Sequence, residues 1–298
     1  MSLLKSTVSL RSDIIGKMKK IGFVDYYISE WHANNYPEWI REACTSQGAE
    51  MQLAYAWGEL DISPIDGRST DEWCAEMGAE RCHTLEELCE KSDVIVILAP
   101  SDPEKHLEYA KTVLRYGKLT YIDKTFASSL AEAQQIYALA DKYGASIFSS
   151  SALRYASELD LCPSPISLDT VGSGSRFEEY IVHQCEMIVK KLGTGAVSLT
   201  VTEEERGVAV SVNYSDARSA SMLWSPNLSF SVKMKDAAGE SYFSEITSEF
   251  FGGLIADIVS FFGGKKPRFP REETLEVIAM VEAAVYGRDH LGEIINIG

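Results

Sequence analysis

The sequence predicts an α/β protein, with a Rossmann-like doubly wound parallel sheet followed by an α+β domain that has an open, mostly antiparallel sheet. In the first half, short apolar runs typical of buried parallel strands alternate with amphipathic helices. In the second half, apolar residues alternate with small or polar ones, as in strands with one packed face. The length of 298 residues is enough for two such domains.

We expect the chain to divide into three parts. Residues 1–17 are weakly basic, lack the apolar centre of a secretory signal, and are predicted to be an N-terminal extension. Residues 18–152 are predicted to form a Rossmann-like dinucleotide-binding domain, and residues 153–298 a substrate and oligomerisation domain. The last helix, at about 271–287, is expected to pack back on the first domain.

Composition excludes several classes of function. The formal net charge is -16, from 44 acidic and 28 basic residues, and a surface of that sign repels nucleic-acid phosphates. No apolar run approaches the roughly 18 residues of a membrane span. The six cysteines contain no Cys-x-x-Cys pair, and the cluster of Cys74, Cys82, His83 and Cys89 matches no zinc spacing. We therefore predict reduced, partly buried thiols, no metal site and a cytoplasmic location.

The elements of the first half follow from periodicity and turn residues. Strands are predicted at residues 21–24, 51–57, 93–99, 119–122 and 145–149. Helices are predicted at residues 70–78, 84–91, 104–116 and 128–143. A further helix follows the first strand, with Ser29 or Asn34 as its cap, and Pro37 is expected to break it or delay its start.

The second half is predicted from its alternation and its last two apolar segments. Alternating residues predict strands around 197–201, 208–214 and 230–234. Helices are predicted at 244–262 and 271–286, the latter with acidic residues in its first turn.

The turn after the first strand should decide the function. In a dinucleotide-binding fold this place holds Gly-x-Gly-x-x-Gly, so that the backbone approaches the pyrophosphate at a helix N-terminus. Here the three glycine positions hold Asp25, Tyr27 and Glu30. Glu59 is the only acid near the end of the second strand that could take a cofactor ribose, and it is displaced.

Three segments together resemble the glucose-fructose oxidoreductase/inositol dehydrogenase (Gfo/Idh/MocA) family. Asp93-Val-Ile-Val-Ile-Leu-Ala-Pro-Ser followed by His106 is similar to the family's Asp-x-Val-x-Ile-x-x-Pro-Asn…His segment. Gly117-Lys118 leading to Asp123-Lys124-Thr125 is similar to its Gly-Lys…Glu-Lys-Pro segment, with threonine in place of proline. Glu179-Tyr-Ile-Val-His183 is similar to its Asp-x-x-x-His helix.

The resemblance implies an NAD(P)-dependent oxidoreductase that acts on a sugar, cyclitol or related polyol, often as a homo-oligomer built through the antiparallel sheet. It implies Lys124, Glu179 and His183 as catalytic residues and Arg154 as a substrate-binding residue. The cofactor, NAD or NADP, would then contact a set of residues at the strand ends, namely Asp25, Tyr26, Tyr27, Ile28, Ala99, Pro100, Ser101 and Lys124.

The chemistry of the catalytic trio can be argued from the residues themselves. Removing a hydride from a carbinol carbon requires a base for the hydroxyl proton, and a lysine of lowered pKa or a neutral histidine can serve. Glu179 and His183 are four apart, so on a helix the carboxylate can orient the ring. The alternatives are an ordinary exposed helix pair and a surface lysine at Lys124.

For the other candidate residues, a role in packing or ion pairing is as well supported by the sequence as a role in ligand binding. Arg154 could equally form an ion pair at the domain interface, and His106 is expected to cap or pack at the start of its helix. An aromatic cluster surrounds the altered turn and could either pack in the core or stack on a ligand ring, and it comprises Tyr26, Tyr27, Trp31, Tyr36 and Trp39.

Three hypotheses follow. The first is a dehydrogenase with a remodelled phosphate loop, in which Ser29 and the backbone amides from Ile28 onward hold the phosphates. The second is a family member that has lost dinucleotide binding and binds or transforms a sugar-like ligand without redox chemistry. The third is a non-catalytic oligomeric binding protein whose aromatic loop is an interface.

Overall fold

The first sheet has the strand order of a dinucleotide-binding fold. The structure, a computed structural model, describes residues 18–298, so the predicted extension lies outside the described residues. Six parallel strands form this sheet in the order β3-β2-β1-β4-β5-β6. They are β1 (Lys19–Tyr27), β2 (Met51–Leu60), β3 (Glu80–Arg81), β4 (Val94–Ile97), β5 (Thr120–Ile122) and β6 (Ile147–Phe148). The order reverses between β1 and β4, so a crevice is expected outside their carboxyl ends.

Five helices connect these strands, and their caps explain where they begin. Ser69 and Glu72 form a capping box, and Thr84 and Ser129 cap the next helices in the predicted way. The helices are α1 (Trp31–Gln47), α2 (Thr70–Met77), α3 (Leu85–Lys91), α4 (Glu104–Val113) and α5 (Leu130–Tyr143). The predicted alternation of strands and helices is confirmed.

The expected break at Pro37 is wrong, because α1 runs unbroken through it. Its cap is also neither Ser29 nor Asn34 but Glu30, whose side chain accepts hydrogen bonds from the first turn. Tyr36 and Ile40 are buried on the inner face of α1. Their burial offsets the hydrogen bond that proline cannot make.

The second sheet is mixed and carries its helices on one face. Its order is β12-β11-β7-β10-β9-β8-β13, with β7 and β10 parallel and the other pairs antiparallel. Helices α6 (Phe177–Leu192) and α8 (Arg271–Arg288) share a buried core with its inner face. The strands are β7 (Pro165–Gly172), β8 (Ala196–Glu204), β9 (Gly207–Tyr214), β10 (Ser219–Trp224), β11 (Ser231–Asp236), β12 (Ser241–Glu245) and β13 (Ile294–Asn296). The open, mostly antiparallel sheet is therefore confirmed.

The predicted helix at 244–262 is wrong in its first part. Ser244 pairs with Val232 in the β11–β12 ladder, and the helix α7 begins only at Phe251 and ends at Phe262. Period-two alternation in β12 overrides the helical reading, since its alternate residues face the core and solvent. The apolar side chains of α7 join the core of the first sheet beside α1.

The last helix packs against both cores. Ile278 of α8 lies in a core of the first sheet, whereas Val277 and Met280 lie in the core of the second. The division of the chain near residue 152 stays a prediction, because α7 returns to the first sheet from the second half of the sequence.

The cysteines, the candidate metal ligands and the apolar helices can be described for residues 18–298. All six cysteines are described, and each is buried and unpaired. Between residues 18 and 298 no group of three or more His, Cys, Asp or Glu side chains could hold a metal ion. Within the same range no helix is both long and apolar enough to cross a bilayer.

Candidate active site

The turn between β1 and α1 holds a carboxylate of the chain itself. Glu30 accepts hydrogen bonds from the backbone amides of His32, at 2.8 Å, and Ala33. Glu30 is buried, with 8% of its surface exposed. Free amides of this kind are where a dinucleotide-binding fold holds the pyrophosphate. The side chain of Glu30 therefore occupies the place of an anionic ligand.

A loop after β2 closes over the same turn. Ser63 Oγ donates to the carbonyl oxygen of Ser29 at 2.8 Å, and Ser29 Oγ donates to Asp66 Oδ2 at 2.7 Å. Arg68 Nε donates to Ser29 Oγ at 3.0 Å, and Arg68 Nη2 donates to Asn34 Oδ1 at 3.2 Å. The hydrogen bond from Ser29 leads the interactions that lower the pKa of Asp66 to about 2. Ser29, a predicted phosphate ligand, is thus engaged within the protein.

Asp25 joins β1 to the turn after β4 instead of facing a ligand. It is 1% exposed, and its Oδ1 accepts from the amides of Tyr26 at 2.7 Å and Ala99 at 3.1 Å. Its other oxygen has no hydrogen-bond partner in the part of the chain that the structure describes. Burial and then the charge of Glu30 raise the pKa of Asp25 well above its usual range.

Asp123 and Lys124 follow β5 at the carboxyl edge of the first sheet. Lys124 is 8% exposed, and its Nζ donates to the carbonyl oxygen of Pro100 at 3.2 Å. Asp123 is fully buried, pairs with His32 Nδ1, and accepts from the hydroxyl of Tyr121 at 2.9 Å. Burial would raise the pKa of Asp123, but the charge and hydrogen bond of His32 and the charge of Lys124 bring it to about 2. Helix α1 thus places a histidine against the residue that precedes the predicted catalytic lysine.

The first half of α6 supplies the other two predicted catalytic residues. His183 Nδ1 lies 2.7 Å from Ser151 Oγ, at hydrogen-bond distance. Glu179 accepts from Ser101 Oγ at 2.6 Å and from Arg176 Nη2 at 3.1 Å. The expected orientation of the ring by Glu179 is therefore corrected, because Ser151 is the hydrogen-bond partner of the imidazole.

The environment of His183 keeps its ring neutral. Burial, followed by the positive charges of Lys124 and His32, lowers the pKa of His183 to about 3. At neutral pH the imidazole is uncharged. Ser151, which lies at hydrogen-bond distance from His183, follows β6 as Lys124 follows β5, so both predicted residues lie at the carboxyl edge of the first sheet.

A cleft of about 860 Å³ opens beside these groups, between the first sheet and helices α6 and α8. Among the predicted cofactor residues, Tyr26, Tyr27, Pro100 and Ser101 line it, whereas Asp25, Ile28 and Ala99 are buried behind it. The charged residues that line it are mostly acidic, with Arg176 as the single basic lining residue among those described, against Asp102, Glu104, Glu178, Glu179, Glu282 and Asp289. Lys124 does not line the cleft itself but is hydrogen-bonded to Pro100, which does.

Arg154, the predicted substrate ligand, lies in a buried ion-pair network. Its Nη1 donates to Glu186 at 2.9 Å, and its Nη2 contacts Glu273 of α8. The guanidinium also stacks over Phe269, 3.8 Å from the ring centre. The alternative of an interface ion pair is therefore observed, and contact with a substrate stays a prediction.

The remaining candidates have structural partners. His106 is buried between the carbonyl oxygens of Leu98 and Phe126, which agrees with the expected packing role. Glu59 accepts from Lys105 at 2.8 Å and Tyr109 at 2.7 Å, so a cofactor ribose would have to displace both.

The aromatic cluster divides in two. Trp31, Tyr36 and Trp39 pack around His32 and Phe251 of α7, as expected for core or interface packing. The two tyrosines that end β1 line the cleft instead. Only those two lie where they can contact a ligand there.

Comparison with known proteins relates part of the chain to a family. The sequence profile of Gfo/Idh/MocA, described as an oxidoreductase family with an NAD-binding Rossmann fold, matches residues 60–150. This part of the chain is similar to that family. The match begins at the end of β2 and so includes Pro100, Ser101 and Lys124, but not the β1–α1 turn.

Relatives agree in fold and share little sequence. The chain is 33% identical over 63 residues to the uncharacterized oxidoreductase YhhX of Escherichia coli (strain K12), a match that spans 21% of this chain and 18% of that protein. An Agrobacterium radiobacter oxidoreductase in complex with NAD+, L-tartaric acid and magnesium has a TM-score of 0.74 at 11% identity, over 94% of this chain and 99% of that chain. Apo scyllo-inositol dehydrogenase from Lactobacillus casei has a TM-score of 0.71 at 12% identity, over 94% and 98%. These structures share the fold.

The β1–α1 turn of this chain does not fit the pyrophosphate of a dinucleotide. The amides that would hold the phosphates are bound by Glu30, and Ser29 is bound by the 61–69 loop. Asp123, which pairs with His32 of the first turn of α1 and has a pKa of about 2, adds a buried negative charge there. The phosphate end of the predicted site is therefore altered.

Sequence reasoning missed three residues of this site. His32, Glu30 as a cap, and Ser151 come together only through the fold. Ser151 had a usable signal, because it follows β6 and the carboxyl ends of parallel strands meet at one edge of a sheet. The pairing of His32 with Asp123 joins residues 91 positions apart and has no local signature.

We predict that Arg154→Met lowers the free energy of unfolding by about 3–5 kcal/mol, because it leaves the buried carboxylate of Glu186 without its partner. Adding Glu186→Gln should recover part of the loss. Arg271→Met, which breaks the exposed pair with Asp141, should cost at most about 1 kcal/mol. Urea denaturation measures the free energy of unfolding of each of these variants. An Arg154→Met protein of unchanged stability and weakened polyol binding would instead support direct substrate contact.

We predict that His183 makes the protein less stable in mild acid. An unfolded histidine takes up a proton below about pH 6.5, but the folded ring does so only near pH 3. Between these values the unfolded state binds more protons, so the free energy of unfolding falls as pH decreases, by at most about 1.4 kcal/mol per pH unit. Urea denaturation should show that the free energies of unfolding of the wild type and of His183→Gln differ by a constant amount above pH 7. Below pH 7, the free energy of unfolding of the wild type should fall more steeply than that of the variant. Parallel curves throughout would contradict the buried neutral ring.

Proposed function

We propose that this chain is an oxidoreductase that acts on a hydroxyl group of a sugar, cyclitol or related polyol, with NAD or NADP as cofactor. The observation that carries the proposal is the position of two groups at the carboxyl edge of the first sheet, where Lys124 donates to Pro100 of the 860 Å³ cleft and His183 is held by Ser151 after β6. Ligands of open α/β sheets bind at this edge.

The residues of the site supply proton transfer. Oxidation at a carbinol carbon requires that the hydroxyl proton leave for a nearby group, and the uncharged ring of His183 can take or relay it. Ser151 holds the ring by Nδ1, which leaves Nε2 for the substrate. Lys124, anchored at Pro100, would place a positive charge and hydrogen-bond donor beside the developing alkoxide. The cofactor of the family supplies the hydride acceptor.

The substrate class is supported by relatives of the same fold. One such structure is named a scyllo-inositol dehydrogenase, and another contains L-tartaric acid together with NAD+. Both compounds are small and carry several hydroxyl groups. Ser101 and Glu179, which join the loop after β4 to helix α6 at the cleft, offer the polar contacts that such a molecule needs.

A second candidate function is favoured by the cap of α1. If the pyrophosphate cannot reach the amides that Glu30 holds, the same cleft would bind or transform a sugar-like ligand without redox chemistry. A purely structural binding protein is less favoured, because it gives no physical reason to place a buried lysine and a half-buried neutral histidine at the carboxyl edge of the first sheet.

Self-association through the second sheet also belongs to the proposal. Helices α6 and α8 cover one face of this sheet, and on the opposite face Phe243 is 71% exposed next to Lys233. A large aromatic side chain on an uncovered sheet face is a reasonable anchor for a second copy of the chain.

The cofactor requirement can be tested directly by titrating protein fluorescence with NADH and with NADPH. Binding at or below millimolar concentration, together with cofactor reduction in the presence of a cyclitol or sugar, is the expected result. Binding of cyclitols without binding of either dinucleotide at several millimolar would reject the first function in favour of the second.

We predict that Lys124→Met keeps the affinity for NADH within about tenfold of wild type but lowers kcat by about 100-fold or more, because it removes a group that acts on the reacting hydroxyl. The matched control is Lys111→Met, an exposed lysine of α4 that should leave both values unchanged. Steady-state kinetics and fluorescence titration give the two readouts. Undiminished kcat in Lys124→Met would remove Lys124 from the mechanism.

A further inference from the structure

The backbone amides at the N-terminus of α1 already have an anionic hydrogen-bond acceptor within the chain. Only three residues separate the end of β1 from the start of α1, a helix of 17 residues. A short turn of this kind between a strand and a helix presents backbone amides to a pyrophosphate. Two of those amides donate to the carboxylate of Glu30, and the side chain is more than nine-tenths buried. The carboxylate supplies both the negative charge and the acceptor oxygens that a phosphate would supply.

The surroundings keep Glu30 in this position. Behind it, the buried carboxylate of Asp123 pairs with the side chain of His32, whose backbone amide donates to Glu30, and Asp25 is buried five residues before Glu30. In front of it, the hydrogen bonds of Ser63 and Arg68 to Ser29 close the 61–69 loop over the turn. A pyrophosphate with two negative charges would have to displace one carboxylate and lie near two others.

We propose that Glu30 is an internal substitute for the cofactor pyrophosphate and is the residue that weakens binding of a dinucleotide to this chain. The inference rests on the proposed function only in that it concerns the same cleft. It predicts that any dinucleotide which binds does so without the amides of α1 while Glu30 is in place.

Glu30 differs in this respect from the other two residues at the glycine positions. Asp25 Oδ1 accepts from the backbone amides of Tyr26 and Ala99 rather than from those of the first turn of α1. Tyr27 lines the cleft and leaves the helix amides untouched. Glu30 alone of the three holds the groups that a phosphate would need, so its replacement should have the largest effect.

The test compares NADH binding to wild type, Glu30→Ser and Glu30→Gln. Serine is a good N-cap with a short, neutral side chain, so Glu30→Ser keeps a cap and opens space for a phosphate. Glu30→Gln keeps the size and removes only the charge. Glu87→Gln makes the same charge change in the first turn of α3, outside the cleft, and serves as the matched control. Circular dichroism establishes that each variant is folded.

We expect Glu30→Ser to bind NADH at least about tenfold more tightly than wild type, the value of one regained charge-assisted hydrogen bond. Glu30→Gln should show a smaller gain of the same sign, and Glu87→Gln should match wild type. Inorganic pyrophosphate should compete with NADH for Glu30→Ser at lower concentration than for wild type. If Glu30→Ser does not fold, the affinity of Glu30→Gln for NADH, compared with that of wild type, tests the inference.

The inference is overturned if folded Glu30 variants bind NADH no more tightly than wild type, whether all bind well or none binds at several millimolar. Its failure is distinct from failure of the proposed function. Tight wild-type binding that Glu30 does not affect, with polyol oxidation, would overturn the inference alone. Tighter binding in the variants with no polyol oxidation by any of them would overturn the proposed function alone.

Discussion

The N-terminal amides of α1 need a hydrogen-bond acceptor, and much of this site depends on how that need is met. A buried helix end without partners would be costly, and relatives of the dinucleotide-binding type leave the place to a ligand. Here Glu30 meets the need from within the chain. With the turn fixed in this way, the next residue but one, His32, reaches Asp123 at the end of β5. The cap and the histidine–aspartate pair thus belong to one arrangement of the first turn.

The two ends of the predicted site differ. At the β5 end, Lys124 follows β5 and Ser151, which holds His183, follows β6, so both groups lie at the carboxyl edge of the first sheet. At the β1 end, two carboxylates and a tyrosine stand where glycines would allow close approach of a phosphate. The family profile shows the same contrast, since its match begins after the β1–α1 turn and includes the lysine.

Local patterns were enough to predict the architecture but not the contacts within the site. The parallel strands, the Ser69, Thr84 and Ser129 helix starts, and the alternation in β8 and β9 follow from short-range periodicity and capping. The unbroken α1 does not, because the packing of Tyr36 and Ile40 outweighs the local effect of Pro37. Glu179 and His183 do share a helix, yet their partners come from other elements, so spacing of four residues was insufficient to predict the orientation of the ring. Arg154 was recognised as important, but its two glutamate partners lie 32 and 119 positions away.

A helix that carries its own cap also completes its folding without help from a small molecule. Where a ligand supplies the missing acceptor, the stability of the folded state rises with the concentration of that ligand in the cell. The Glu30 cap removes this dependence at the first turn of α1, the helix that follows the central strand β1 of the first sheet. The abundance of the folded protein is thereby uncoupled, at this point of the structure, from the metabolic supply of dinucleotides.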